Sequence, residues 1–400
     1  MINLSTRMVS LVLTFGIFFA LSCSTIENTE IPQQESSPQH TYDQQLRDLN
    51  NQISQSPGDT HLHEKKAELL FDYATSFSTP QQRLPLYANL HDLSGEDRSN
   101  QKINSIIKKA WSSEHSSGIR LLQQDESNEF VQQIIAHFDN AITLIPDTLV
   151  TYSLKAATLY ENGNLHSAIE TLETAKAKTG GNEEQLDEKI AYLNLESGNL
   201  QEAVLIYHSL TESNPDNEHY KHGLINAMII NEQHEDVISI LRRLSEEFPA
   251  RIAYQEALAT ETFFFVKKES EYLLLSDPES SDISGGVATI ISYLEEAHTI
   301  FNSLSSQVPL NEENTLRLAA FYKNSATIIG TLANELPLDD DKKEELEIVY
   351  IDFLEQSLPS WERLSELNPD NIDYLLNLKQ VYEYLGMDEE SEAVERSLTF

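Results

Sequence analysis

Residues 160–168 read Tyr160-Glu161-Asn162-Gly163-Asn164-Leu165-His166-Ser167-Ala168, and residues 195–203 read Leu195-Glu196-Ser197-Gly198-Asn199-Leu200-Gln201-Glu202-Ala203. Both carry G-N-L-x-x-A, and 198 − 163 = 35 residues separate the two glycines. A fixed period of this size marks a stacked array of one supersecondary unit. Downstream, Pro215 and Pro249 stand 249 − 215 = 34 residues apart and close successive helix pairs. Gly163 and Gly198 sit where one helix turns into the next, a left-handed position that a Cβ disfavours. Ala156, Ala168, Ala191 and Ala203 are small enough to let the two helices of a hairpin approach closely. Tyr152, Leu159, Leu172, Tyr207 and Leu241 are the bulky residues of the seam, and Pro146, Pro215 and Pro249 stop one pair and start the next.

Helix pairs are therefore expected at 149–161/165–178, 184–196/200–213 and 218–230/234–247. With this period and these residues the chain resembles the tetratricopeptide repeat (TPR) family, most closely over 149–249. The third pair has Asn231-Glu232-Gln233 where the others have a turn glycine. Beyond Pro249 the stops lie further apart, Pro309 at 309 − 249 = 60 and Pro369 at 369 − 309 = 60 residues. Leu258-Ala259 then aligns with Leu318-Ala319, Phe301 with Trp361 and Leu304 with Leu364. These units read as elongated hairpins whose helices run about 20–25 residues, about 30–37 Å at 1.5 Å per residue. Their connectors are expected at 276–286 and 337–341. Asn214-Pro215-Asp216-Asn217 recurs as Asn368-Pro369-Asp370-Asn371 and opens a final short pair as a cap. The expected fold is all-α, a TPR-like helical-hairpin solenoid with elongated C-terminal hairpins. A helical N-terminal region spans 42–145, the repeats 146–249, and the long hairpins with their cap 250–400.

Composition agrees with helices. Only 13 Gly and 13 Pro occur in 400 residues, too few for a loop-rich β fold, and 40% hydrophobic residues suffice for burial. Formal charge is 27 − 65 = −38. So acidic a body repels phosphate backbones and anionic headgroups, which argues against nucleic acid as a partner. The acidity fits either solubility in a salty habitat or a basic partner. Cys23 is the one cysteine, so no intramolecular disulfide can form.

Residues 1–22 read as a signal peptide. Arg7 is the positive n-region, and residues 8–21 are an uncharged, mostly apolar stretch of 14 residues, shorter than a membrane span. Ala20-Leu21-Ser22-Cys23 resembles a bacterial lipobox, with the usual order of leucine and small residue interchanged. The resemblance implies that Cys23 becomes a lipidated mature N-terminus; a plain secretory signal is the alternative. Two or more acyl chains anchor stably, at about 0.8 kcal/mol per buried CH₂. Residues 23–41 would form the lipidated tether. Its part after the cysteine, 24–41, is polar and holds no aromatic residue, and its coil span is about 20–25 Å. Ser24, in place of the Asp that favours inner-membrane retention, points to the outer membrane.

Motifs of catalysis are few. No phosphate-binding Gly-rich loop, G-x-S-x-G or H-E-x-x-H occurs, so no catalytic residue, cofactor or metal is expected and the chain does not read as an enzyme. His219-x-x-His222 could share a metal at i, i+3, but a solvent-facing pair is the simpler reading, and His61-x-His63-Glu64 reads the same way. Asp339-Asp340-Asp341 with Glu344 and Glu345 lacks the spacing of a calcium loop and reads as a solvated helix start. Phe263-Phe264-Phe265-Val266, apolar all round, suits a helix buried on both sides, with an exposed apolar dock as the alternative.

The TPR resemblance implies a concave face, built by the first helix of each pair, that binds peptide segments. On that face would stand Tyr160, Glu188, Tyr192, His219, His222 and Asn226. Chaperone-binding members of the family clamp a C-terminal carboxylate with Lys and Arg there. Asn226 matches that pattern, whereas Glu188 and His222 stand where basic residues are needed. A groove of Tyr, His, Asn and Glu suits extended or basic segments of other envelope proteins better. The expected protein is thus an outer-membrane lipoprotein facing the periplasm or cell surface, held by its lipid alone, that serves as an interaction scaffold. Rival readings are a glycan- or nutrient-binding lipoprotein, against which stands the presence of only Trp111 and Trp361, and an outer-membrane assembly factor.

Overall fold

The computed structural model describes residues 38–95, 99–124, 129–180, 183–277, 282–307 and 311–398. The signal peptide, Cys23, most of the tether and Pro309 lie outside the described residues. Among the described residues there is no strand, and no helix is long and apolar enough to cross a membrane. The described residues divide into two compact units, one drawn from 1–78 and 85–106, the other from 79–84 and 107–400.

The first unit holds α1 (Pro38–Gln55), α2 (Thr60–Ser76), most of α3 (Leu84–Asp92) and the start of α4 (Gln101–Gln124). Helix α1 begins at Pro38, four residues before Tyr42, the expected start of the helical region. Proline is compatible with a first helical turn, where its missing N–H has no intrahelical partner. Tyr42 stacks on Tyr73 of α2 at 4.7 Å, and the Tyr73 hydroxyl donates to Asp43 at 3.1 Å. Asp59 caps α2 by accepting from His61 N at 3.0 Å.

The second unit is an all-α, TPR-like solenoid of helical hairpins. It continues α4 with α5 (Val131–Leu144), α6 (Leu149–Glu161), α7 (Leu165–Thr179), α8 (Glu183–Ser197), α9 (Leu200–Ser213), α10 (Glu218–Ile230) and α11 (His234–Glu247). The helices α6 to α11 end within one residue of the bounds read from the sequence. The long hairpins are α12 (Ile252–Leu275) with α13 (Ile283–Gln307) and α14 (Glu312–Glu335) with α15 (Asp340–Leu367), followed by α16 (Ile372–Tyr384) and α17 (Asp388–Leu398).

One turn geometry recurs inside the short hairpins. Gly163, Gly198 and Gly386 have φ of +76°, +82° and +69°, and Glu232 holds the same place at +56°. At each turn the next residue's N–H reaches back five residues: Asn164 to Leu159 O, Asn199 to Asn194 O, Gln233 to Met228 O and Met387 to Tyr382 O, at 2.8–2.9 Å. That bond closes a Schellman motif and satisfies a carbonyl the helix end leaves open. The third turn is thus built like the others, without their glycine.

Between hairpins the recurring Asn-Pro-Asp-Asn does three jobs. Asn214 and Asn368 end their helices, and the N–H groups of Asn217 and Asn371 donate to the carbonyls of Asn214 and Asn368 at 3.0 Å. Asn217 then caps α10 by accepting from His219 N at 3.0 Å, and Asn371 caps α16 from Asp373 N at 3.1 Å.

Two further expectations need correcting. Helix α13 starts at Ile283, inside the expected connector 276–286, because the Asp282 carboxylate accepts from Gly285 N at 2.9 Å and Ile283 and Val287 are buried. Helix α15 has 28 residues, longer than expected, and carries Pro359 within it.

The core runs through the unit as successive clusters. Leu159, Leu172 and Ile190 belong to the cluster of α6–α8; Ala203, Tyr207 and Leu241 to that of α8–α12; Leu294, Ile329, Trp361 and Val381 to that of the long hairpins. Phe263 packs on the last cluster and Phe265 on the one before it, so the Phe-rich stretch of α12 faces two cores, with Val266 fully buried.

Candidate functional site

The leading helices of the hairpins (α6, α8, α10 and α12) are called A helices below, and the first three of them carry the six groove residues. Tyr160 lies in the last turn of α6 and Tyr192 in the middle of α8; they are 36% and 38% exposed. Their rings meet edge to face, 6.3 Å between centroids at 60°, with the hydroxyls 3.4 Å apart. The contact with the Tyr160 hydroxyl, burial and the Glu196 carboxylate hold the Tyr192 phenol well above its ordinary range. Glu188 stands one turn before Tyr192 and is half-buried. It accepts from His219 Nε2 of α10 at 2.5 Å. Asn226 is exposed on α10, one turn beyond His222.

His219 and His222 turn to different partners. While His219 meets Glu188, His222 Nε2 lies 2.9 Å from the Tyr254 hydroxyl of α12. Burial pulls the His222 imidazole below its ordinary value; Glu218 raises it, and Arg251 and His219 lower it further. The two imidazoles therefore do not converge on a common centre, and among the described residues no three His, Cys, Asp or Glu side chains gather as metal ligands. Alongside, Arg251 donates to both Glu218 oxygens at 2.7 and 3.0 Å, and its guanidinium lies 5.7 Å from the Phe248 centroid and 5.9 Å from that of Tyr254. Residues 31–33 apart in sequence thus pair across successive A helices, Tyr160 with Tyr192, Glu188 with His219, Glu218 with Arg251 and His222 with Tyr254. Such a row offers hydrogen bonds, aromatic edges and charge to a ligand lying across it.

The remaining sequence candidates resolve simply. Asp339 caps α15 by accepting from Lys342 N at 2.8 Å, and Lys342 pairs with Glu345. His61 and His63 lie in the first turn of α2, His63 Nε2 3.0 Å from Pro57 O. Trp361 is 3% exposed, and Trp111 is half-buried and stacked on His115 at 4.8 Å, so neither is an open aromatic platform.

A buried polar hub escaped the sequence reading. Glu114 of α4, 1% exposed, accepts from Arg83 Nη1 at 2.8 Å and from Asn140 Nδ2 at 3.2 Å, and contacts His137 Nδ1 at 2.6 Å. Burial pushes its carboxyl up, but the hydrogen bonds of His137, Arg83 and Asn140 outweigh that and leave it below its ordinary value. A signal was present: Ile103, Ile107, Ala110, Glu114 and Gly118 follow one another at helical spacing and are all buried, so Glu114 occupies a core register.

No protein-family model matches the chain, and no curated protein does. Solved structures similar to it include a tetratricopeptide repeat protein from Parabacteroides merdae, 11% identical over 72% of this chain and 99% of that one, with a TM-score of 0.31. The pilF protein of Pseudomonas aeruginosa is 11% identical over 67% of this chain and 96% of its own, with a TM-score of 0.33. The TPR2AB domain of yeast Sti1, solved as a complex with pHSP90, is 14% identical over 70% of this chain and 99% of its own, with a TM-score of 0.28. At scores this low none of them informs on what this chain binds.

Proposed function

We propose that the protein is an interaction scaffold of the bacterial envelope, exported, lipidated at Cys23, and binding extended segments of other proteins along its A helices. The observation that carries the reading is the exposed run of Tyr160, Tyr192, His219, His222 and Asn226 on three successive A helices. A surface that served only packing has no reason to gather aromatic and hydrogen-bonding groups in solvent, and such groups dominate binding hot spots. Export and anchoring are supported by the apolar stretch 8–21 and by the position of the chain's one cysteine at its end. In this reading the lipid is the whole membrane hold, since so acidic a body is repelled by anionic headgroups.

Capture from solubilised membranes tests it. Tyr192→Ala with Glu188→Ala should melt within about 3 °C of wild type, because Tyr192 is more than a third exposed and the Glu188 contact with His219 lies at the surface, where side chains add little stability. The same variant should lose partners that the wild type captures. A folded double variant that keeps every partner places the working surface elsewhere. Separately, Cys23→Ala should leave the membrane fraction, and unchanged partition removes the anchor from the proposal.

A further inference from the structure

We infer that Tyr160, Tyr192 and Glu196 form a receiving site for an arginine side chain of a partner segment. The inference rests on the reading of the A helices as a binding surface and adds the chemistry that one part of it selects.

The protein itself shows what an aromatic pair and a carboxylate hold on this surface. Arg251 lies within 6 Å of two ring centroids, Phe248 and Tyr254, while both oxygens of Glu218 grip its fork. Tyr160, Tyr192 and Glu196 gather two rings and a carboxylate without the cation, on rings far more exposed than Tyr254, which is 6% exposed. The rings are a third exposed or more, and their hydroxyl contact sets them at 60°, as a corner and not a stack. Glu196 is exposed one turn beyond Tyr192 and close enough to act on its phenol; Glu161, next to Tyr160, is exposed too. Among the described residues no lysine or arginine lies over either ring, although Lys189 shares the exposed face of α8. Aromatic faces attract cations through their quadrupole. A guanidinium suits the corner better than an ammonium, being planar, weakly hydrated and able to stack while its fork meets a carboxylate. The charge of −38 on the whole chain draws a cationic segment towards it.

The test uses the full chain with ring-labelled tyrosine and two probes, N-acetyl-arginine methylamide and its neutral isostere N-acetyl-citrulline methylamide. The arginine compound should shift the Tyr160 and Tyr192 ring signals saturably, and the citrulline compound should bind at least about threefold more weakly. Glu196→Gln, an exposed change, should weaken the arginine compound by about twofold or more. Tyr272, 63% exposed, is the reference for mere attraction to an acidic surface. Equal binding of the two probes, or a Tyr272 shift as large as those of Tyr160 and Tyr192, overturns the inference. The scaffold reading fails separately. If the arginine preference is found while the double variant of the capture experiment keeps every partner, the site stands and the reading of the face falls. If capture is lost but the probes bind alike, the reverse holds.

Discussion

The Glu188 carboxylate and His219 Nε2 meet at 2.5 Å across the step from α8 to α10, with the histidine side chain 66% and the glutamate 30% exposed. Despite its short distance this contact belongs to the surface, where solvent screens charge and ordering two side chains costs entropy. His219→Ala should therefore cost less than about 1 kcal/mol in denaturant unfolding. A larger loss would show that the pair clamps the two hairpins together and is not free to engage a partner.

Glu232 makes the opposite case, a strained residue in a turn otherwise filled by glycine. Its φ of +56° is the left-handed region, which costs a residue with a Cβ about 1–2 kcal/mol. Glu232→Gly relieves that strain, set against the greater freedom of glycine in the unfolded chain and the loss of the exposed contact with Lys268 at 3.2 Å. The expected net gain is about 0.5–1 kcal/mol. Amide exchange across α10 and α11 should slow accordingly; faster exchange would show that the Lys268 contact outweighs the backbone.

Gly223 sits inside α10, where alanine would ordinarily favour the helix by about 1 kcal/mol. A Cβ there would stand 2.3 Å from the buried Tyr207 ring, which has little room to move. Overpacking of this kind costs about 1–3 kcal/mol, so Gly223→Ala should destabilise on balance. Because a solenoid couples nearest neighbours, protection should fall in α8–α11 and persist in α14–α17. Loss spread evenly along the chain would contradict nearest-neighbour coupling.

Glu114 links stability to pH. Its carboxyl lies below the ordinary value in the folded chain, so it adds stability above the unfolded value and loses it as pH falls through the folded one. Acidification below the usual glutamate range, about pH 4.3, should weaken wild type more steeply than Glu114→Gln, read as the urea midpoint against pH. Parallel curves would mean that Arg83 and His137 do not stabilise the charged carboxylate. Glu114→Ala, which removes the buried carboxylate that Arg83, His137 and Asn140 share, should cost about 3–5 kcal/mol.

How far each feature could be read from the chain follows from the range of its cause. The helices α6 to α11 were legible because Gly163, Gly198, Pro215 and Asn217 act on backbone within five residues of themselves. The early start of α1 at Pro38 and of α13 at Ile283 were not, since a polar stretch reads as coil until a cap or a buried face recruits it. Among the groove residues, the placement of Tyr192 and Glu188 on one face of α8 follows from helical spacing alone. That Glu188 would be taken up by His219 and His222 by Tyr254 does not.

The sequence by itself therefore determined the period, the hairpin turns and the caps, because each answers a local demand: a left-handed φ, a missing N–H, an open carbonyl. Only the tertiary structure decided which side chains meet. Arg83 finds Glu114 across 31 residues, Tyr160 finds Tyr192 across 32, and Gly223 makes room for Tyr207. Those pairings depend on the rotation of one helix against another and on the distance between their axes. Both quantities are set by the packing of the whole hairpin stack and are written in no single stretch of it.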